Sequence, residues 1–184
     1  MVVKQLSIIK SGVFAKSQAN PNLFYIQASD FDDERNWKKN LKPSLVLNPS
    51  LQKHVLNNGD ILFVAKGRMF FAVVYKGEYS PAVASGTFLI IKTDHQRLIP
   101  EFLAWYLNHP KTIIFLDQLS KGSSMPMISK SVLEEIEITL PTITQQEKIT
   151  ELSALQQKEQ QLLTRIQFLH NDYVNELTYK IFQQ

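Results

Sequence analysis

Asp30, Asp32, Asp33 and Glu34 stand almost side by side and are followed at once by Arg35, Lys38, Lys39 and Lys42 around Trp37. No other stretch of the sequence is so dense in side chains capable of chemistry. Paired carboxylates can divide acid and base roles or hold a divalent cation, but these lie too close along one loop for either role to be assigned. The basic half suits another task. Each Lys or Arg set against a phosphate releases condensed counterions, so clustered cations with an aromatic among them fit a polyanion. Lys66 and Arg68 flank Gly67 in a second basic segment, and Gly122-Ser123-Ser124 lies between Lys121 and Lys130. Small hydroxyl residues and backbone N–H groups can approach a phosphate closely. Each segment also reads as an ordinary solvated loop, and Trp37 either stacks on a base or covers an edge of the core.

Catalytic patterns are thin by comparison. The glycines form neither G-x-G-x-x-G nor a phosphate loop, and no serine sits in a nucleophile elbow. His54, His95, His109 and His170 are scattered without metal-like pairing. No catalytic residue, metal site or cofactor is assigned, and the chain reads as a binder. Cysteine is absent, which points to a reducing cytoplasm. The start, Met1-Val2-Val3-Lys4, is too polar and short for a signal peptide, and no apolar run suits a membrane span. A soluble, cytoplasmic protein is expected. The net charge of +3 divides unevenly at Pro141, with the excess of Lys and Arg on the N-terminal side.

The elements that must position these segments begin with short strands separated by turns. Leu6 to Ile9 stops at Ser11-Gly12, and Phe24-Tyr25-Ile26 ends near Ser29-Asp30. Asn57-Asn58-Gly59-Asp60 marks a tight turn before Ile61 to Ala65, Lys66-Gly67-Arg68 turns into Met69 to Tyr75, and Thr87 to Ile91 follows. The expectation is a meandering β core. Pro100 opens a helix with Phe102, Leu103, Trp105, Tyr106 and Leu107 on its apolar face, and His109-Pro110 breaks it before a second helix. Ser131 to Glu135 reads as one more helical turn and Ile136 to Leu140 as a β-type run. Strands followed by helices in one unit give an α+β class.

Pro141 separates two kinds of structure, since it cannot donate to a sheet and disfavours helix in the residue before it. Thr144 with Glu147 forms a capping-box signature, predicting one long helix from Thr144 to about Phe182, roughly 58 Å at ~1.5 Å per residue. Leu152, Leu155, Leu162, Ile166, Leu169 and Tyr173 recur at three- and four-residue steps, with Glu159 the polar intruder. Such a seam asks for a partner helix. The chain therefore divides into residues 1–141, a β-rich domain with a few short helices, and 142–184, a coiled-coil arm.

The order of motifs carries a resemblance. It runs Ile9-Lys10-Ser11-Gly12, Tyr25-Ile26-Gln27-Ala28-Ser29-Asp30, Asn58-Gly59-Asp60-Ile61-Leu62, Ala84-Ser85, Pro100-Glu101-Phe102-Leu103, Gly122-Ser123-Ser124, Met127-Ile128-Ser129, then Leu140-Pro141 through Gln145-Gln146 to Ile149. Over essentially its whole length the chain resembles the DNA specificity subunits of type I restriction-modification systems. That family usually has Glu-Gln where this chain has Gln145-Gln146, a change at the base of the arm that should leave DNA contacts alone. A typical member has two target-recognition domains and two long helices, and this chain has one of each. The resemblance thus implies a non-catalytic half-subunit, with residues 1–141 as a target-recognition domain for double-stranded DNA. Two copies would pair their arms antiparallel and read a bipartite, symmetric site. The implied partners are a DNA methyltransferase subunit and, in complete systems, a translocating restriction subunit.

On this reading the DNA-facing candidates are Arg35, Lys38, Lys39, Lys66, Arg68, Lys121, Ser123, Ser124 and Lys130, and the dimer seam is Leu152, Leu155, Leu162, Ile166, Leu169 and Tyr173. Three alternatives stay open. The chain is a silent cassette that donates its recognition domain by recombination, a coiled-coil adaptor whose β-rich domain binds protein, or, more distantly, a hydrolase using the acidic cluster. Steep loss of affinity with salt separates a DNA reader from an adaptor.

Overall fold

The computed structural model describes residues 1–38, 40–120 and 125–183. In chain order the strands are β1 (Ser7–Ser11), β2 (Phe24–Ile26), β3 (Ile61–Val64), β4 (Phe71–Val74), β5 (Ala82–Ala84) and β6 (Phe88–Thr93). The helices are α1 (Pro49–Gln52), α2 (Pro100–Asn108), α3 (Pro110–Leu119), α4 (Lys130–Glu134) and α5 (Ile143–Phe182). The class is α+β, as expected. Two compact units result, Met1–Gln146 and Glu147–Gln184.

Four strands form an antiparallel sheet in the order β1-β6-β3-β4. Only β3 and β4 are joined as neighbours by a hairpin, so the expected meander is corrected to a sheet whose centre is assembled from distant segments. All four residues of β3 are buried, as befits a central strand covered on both faces. The second sheet corrects the expectation further: β2 pairs in parallel with β5, a strand with no signal of its own because two of its three residues are alanine. The strand expected from Met69 starts only at Phe71, since the turn occupies the residues before it.

Gly12 explains one of the sequence motifs. Its N–H donates to the Phe88 carbonyl, and a Cβ there would lie 2.0 Å from the Ser85 carbonyl oxygen and 2.7 Å from that of Ala84. Ile9-Lys10-Ser11-Gly12 and Ala84-Ser85 are thus two sides of one backbone crossing that no side chain can enter. The turn at Asn57–Asp60 is similarly structural. Gly59 has φ +89°, and the buried Asp60 carboxylate accepts from Asn57 N–H at 2.9 Å and from Lys92 Nζ at 2.6 Å.

The run from Ile136 to Leu140 is not a full strand. Ile136 and Ile138 are buried with Glu137 exposed between them, so the alternation is real, but its partner is only the chain start: Val2 bridges Glu137, and Met1 and Ile138 exchange backbone hydrogen bonds. The start of α5 also differs from expectation. The capping box is Thr142 with Gln145, whose Oε1 accepts from the Thr142 N–H and hydroxyl at 3.0 Å each, while Gln146 N–H donates to the Thr142 carbonyl. Thr144-x-x-Glu147 satisfies the same pattern two residues later but is already inside the helix, because capping begins where Pro141 ends the extended segment.

Among the described residues no helix is long and apolar enough to cross a membrane.

Candidate nucleic-acid interface

Lys66, Gly67 and Arg68 form the tip of the β3–β4 hairpin, beyond its last paired residues Val64 and Phe71. Gly67 has φ +129°, a conformation that favours glycine, and a Cβ there would touch nothing within 4 Å. The tip does not stand alone. Ile128 N–H donates to the Ala65 carbonyl at 2.8 Å, Gly67 N–H donates to the Pro126 carbonyl at 3.1 Å, and Lys66 bridges Met127 antiparallel. Ala65 and Ile128 face the core while Lys66, Arg68 and Met127 are exposed. The same short segment leads to α4, where Ser129 Oγ accepts from Val132 N–H and Lys130 sits 3.5 Å from Glu134. The structure therefore gathers Lys66, Arg68 and Lys130 on connected segments, with the Lys130 charge partly answered. Lys39, Lys121, Ser123 and Ser124 lie outside the described residues.

Arg35 and Lys38 sit on a separate small hairpin. Phe31 bridges Trp37, Lys38 N–H donates to the Asp30 carbonyl at 2.8 Å, and Asp32 Oδ1 accepts from Asn36 N–H at 2.8 Å. Arg35 takes φ +67° at the tip, a conformation usually left to Gly or Asn. Three of the four clustered carboxylates thereby hold local hydrogen bonds, since Asp30 Oδ2 also accepts from Gln27 N–H at 2.7 Å and Glu34 Oε2 from Asn36 Nδ2 at 3.4 Å. Burial raises the Asp30 carboxyl above the ordinary aspartate range, opposed by the Gln27 hydrogen bond and by Lys38. Trp37 covers the edge of the core: its ring lies 4.3 Å from Phe31 and 5.1 Å from Tyr79. Phe31 in turn packs on Phe71 and Phe88, the first residues of β4 and β6. Both hairpins thus hang from one end of the central sheet, but only the Lys66–Arg68 tip is basic, since Asp30, Asp32, Asp33 and Glu34 outnumber Arg35 and Lys38 on the other.

Residues 8–167 match the family described as the type I restriction modification DNA specificity domain. The chain belongs to this family. Solved specificity-subunit structures share the fold. The S subunit of a type I restriction-modification system from M. genitalium superposes with TM-score 0.56 at 13% identity, over 84% of this chain and 37% of that one. The HsdS subunit from Thermoanaerobacter tengcongensis gives 0.60 at 16%, over 91% and 39%. A chain from a structure on complex assembly and conformational transition of the type I R-M system gives 0.65 at 18%, over 96% and 42%. No curated protein matches the chain significantly. This specificity domain with its helix spans about two fifths of the length of the solved chains it matches.

The seam expected on the arm lies on α5. Leu152, Leu155, Leu162, Ile166, Leu169 and Tyr173 are 48–67% exposed, and Leu163, Val174, Leu177 and Ile181 add further exposed apolar surface. The sequence marks the arm, and Met127 and Gln146 fall within motifs of the resemblance, but it gives no local sign of what they do: a bridge between distant segments sets Met127 beside Lys66, and Gln146 is fully buried.

Proposed function

We propose that this chain is the DNA-reading component of a type I restriction-modification complex, residues 1–141 being its target-recognition domain and 142–184 a dimerisation and spacer arm. The observation that carries the proposal is the apolar seam of α5, left in solvent along a helix of 40 residues. An isolated helix with that much exposed Leu and Ile calls for another helix, and each seam residue contributes about 1.5–3 kcal/mol when fully buried. A second copy related by a two-fold axis is the occupant that lets one recognition unit serve two half-sites.

Paired antiparallel, two arms of about 60 Å give a spacer between one and two turns of DNA, at about 34 Å per turn. Identical units related by a two-fold read the same half-site on opposite strands, so the target is an interrupted palindrome. The chain supplies specificity, a methyltransferase subunit supplies the methyl transfer, and a translocating nuclease joins in complete systems. Their setting is the cytoplasm.

Replacing Leu162 and Leu169 together with aspartate should leave the first unit folded and turn a dimer into a monomer in sedimentation. Wild-type chain that is already monomeric at tens of micromolar overturns self-pairing. Together with a type I methyltransferase subunit, the chain should direct methylation to one symmetric, interrupted sequence. Methylation mapped to an asymmetric target refutes the two-fold arrangement.

A further inference from the structure

Lys66 and Met127 meet across the backbone bridge at the tip of the β3–β4 hairpin. The hydrogen bonds lie on either side of it, from Ile128 to Ala65 and from Gly67 to Pro126, so Lys66 and Met127 form the non-hydrogen-bonded kind of antiparallel pair, in which side chains stand closest. Their neighbours Ala65 and Ile128 are buried, so the pair points away from the core. Met127 is 51% exposed, and Met69, which follows Arg68 at the hairpin tip, is 55% exposed. A thioether held open to water beside a lysine, at the tip of the β3–β4 ribbon where a single backbone bridge holds the segment before α4 against it, is a poor surface for solubility and a good one for contact.

We propose that this ribbon enters the major groove of duplex DNA and that Met127 covers the 5-methyl group of a thymine, with Lys66 providing the electrostatic hold alongside it. This rests on the DNA-reading function proposed above and adds the base chemistry. A two-stranded ribbon fits the major groove, which is about 12 Å wide, and the thymine methyl is the one apolar group displayed there. An apolar side chain next to a cation matches what a thymine step offers: a methyl to bury and a phosphate or purine acceptor close by. Arg68, exposed at the same hairpin tip as Lys66, adds a second cation, so charge complementarity to a phosphate backbone extends beyond the pair itself.

The test starts with duplexes enriched from a random-sequence pool by the full chain together with a type I methyltransferase subunit. The enriched duplex is then remade with deoxyuridine in place of thymidine, one position at a time, which removes only the methyl. At one thymine in the half-site, wild-type affinity should fall about fourfold, the value of one buried methyl. The Met127→Ala complex should bind both duplexes equally, while Lys66→Ala should weaken both and keep their ratio. Equal affinity of wild type for every thymidine and deoxyuridine duplex, an enriched site without thymine, or the same loss in Met127→Ala overturns the assignment and leaves DNA reading intact. No enrichment at all overturns the proposed function, and this assignment with it.

Discussion

Gln146→Ala is the sharpest probe of how the first turn of α5 is held within its unit. Gln146 is fully buried, its Oε1 accepts from Ile99 N–H at 2.9 Å, and its Nε2 donates to the carbonyls of Arg97 and Pro141 at 3.0 Å each. One amide thus joins the first turn of α5 to the residues that open α2, whose N-cap, Ile99, has no capping side chain of its own. Three hydrogen bonds at about 1 kcal/mol net, with the exposed Arg97 free to recruit water and the others left short of partners, place the cost at about 2–4 kcal/mol. For a chain of this length that is on the order of 10 °C in Tm. The assay is tryptophan fluorescence during urea unfolding, because Trp37 and Trp105 both lie in the first unit, as Gln146 does. Gln146→Glu keeps the acceptor for Ile99 but sets a carboxylate against two carbonyls. Burial raises its folded pKa above the unfolded ~4.3, so its stability is greatest below that value and is lost as pH rises through the folded one. A loss under about 1 kcal/mol for Gln146→Ala would refute this account.

Gly12→Ala should abolish soluble expression, since the new Cβ would meet backbone oxygen at 2.0 Å, whereas Gly67→Ala meets nothing and should lower Tm only through its positive φ. Gln145→Glu keeps the capping box and adds a negative charge at the N-terminus of α5, so denaturant unfolding should show a gain of about 0.5 kcal/mol. Lys92→Met strands the buried Asp60 carboxylate and should cost about 3 kcal/mol in the same assay, with part of the loss recovered in the double variant that adds Asp60→Asn. Because burial raises the Asp30 carboxyl, the folded chain holds that proton more tightly than the unfolded one. Its contribution to stability is full below the ordinary aspartate value and is lost as pH rises through the folded one, a slope that Asp30→Asn should remove from a pH series of melting curves.

What the sequence determined by itself was set within a turn or a pleat. Asn57-Asn58-Gly59-Asp60 before an apolar run announced β3, Pro100 and His109-Pro110 placed α2 and α3, and a seam at three- and four-residue steps announced α5. Backbone conformation at those places depends on residues a few positions away, so the pattern is sufficient. Tertiary structure alone decided the rest. Two alanines and a valine become β5 only because β2 lies beside them. Trp37 covers the core because Phe31 and Tyr79 come to it. Met127 stands beside Lys66, and Gln146 reaches Ile99 and Arg97, through contacts between segments far apart in sequence. Such pairings follow from which apolar faces cover one another in the packed chain, and that is a property of the whole fold.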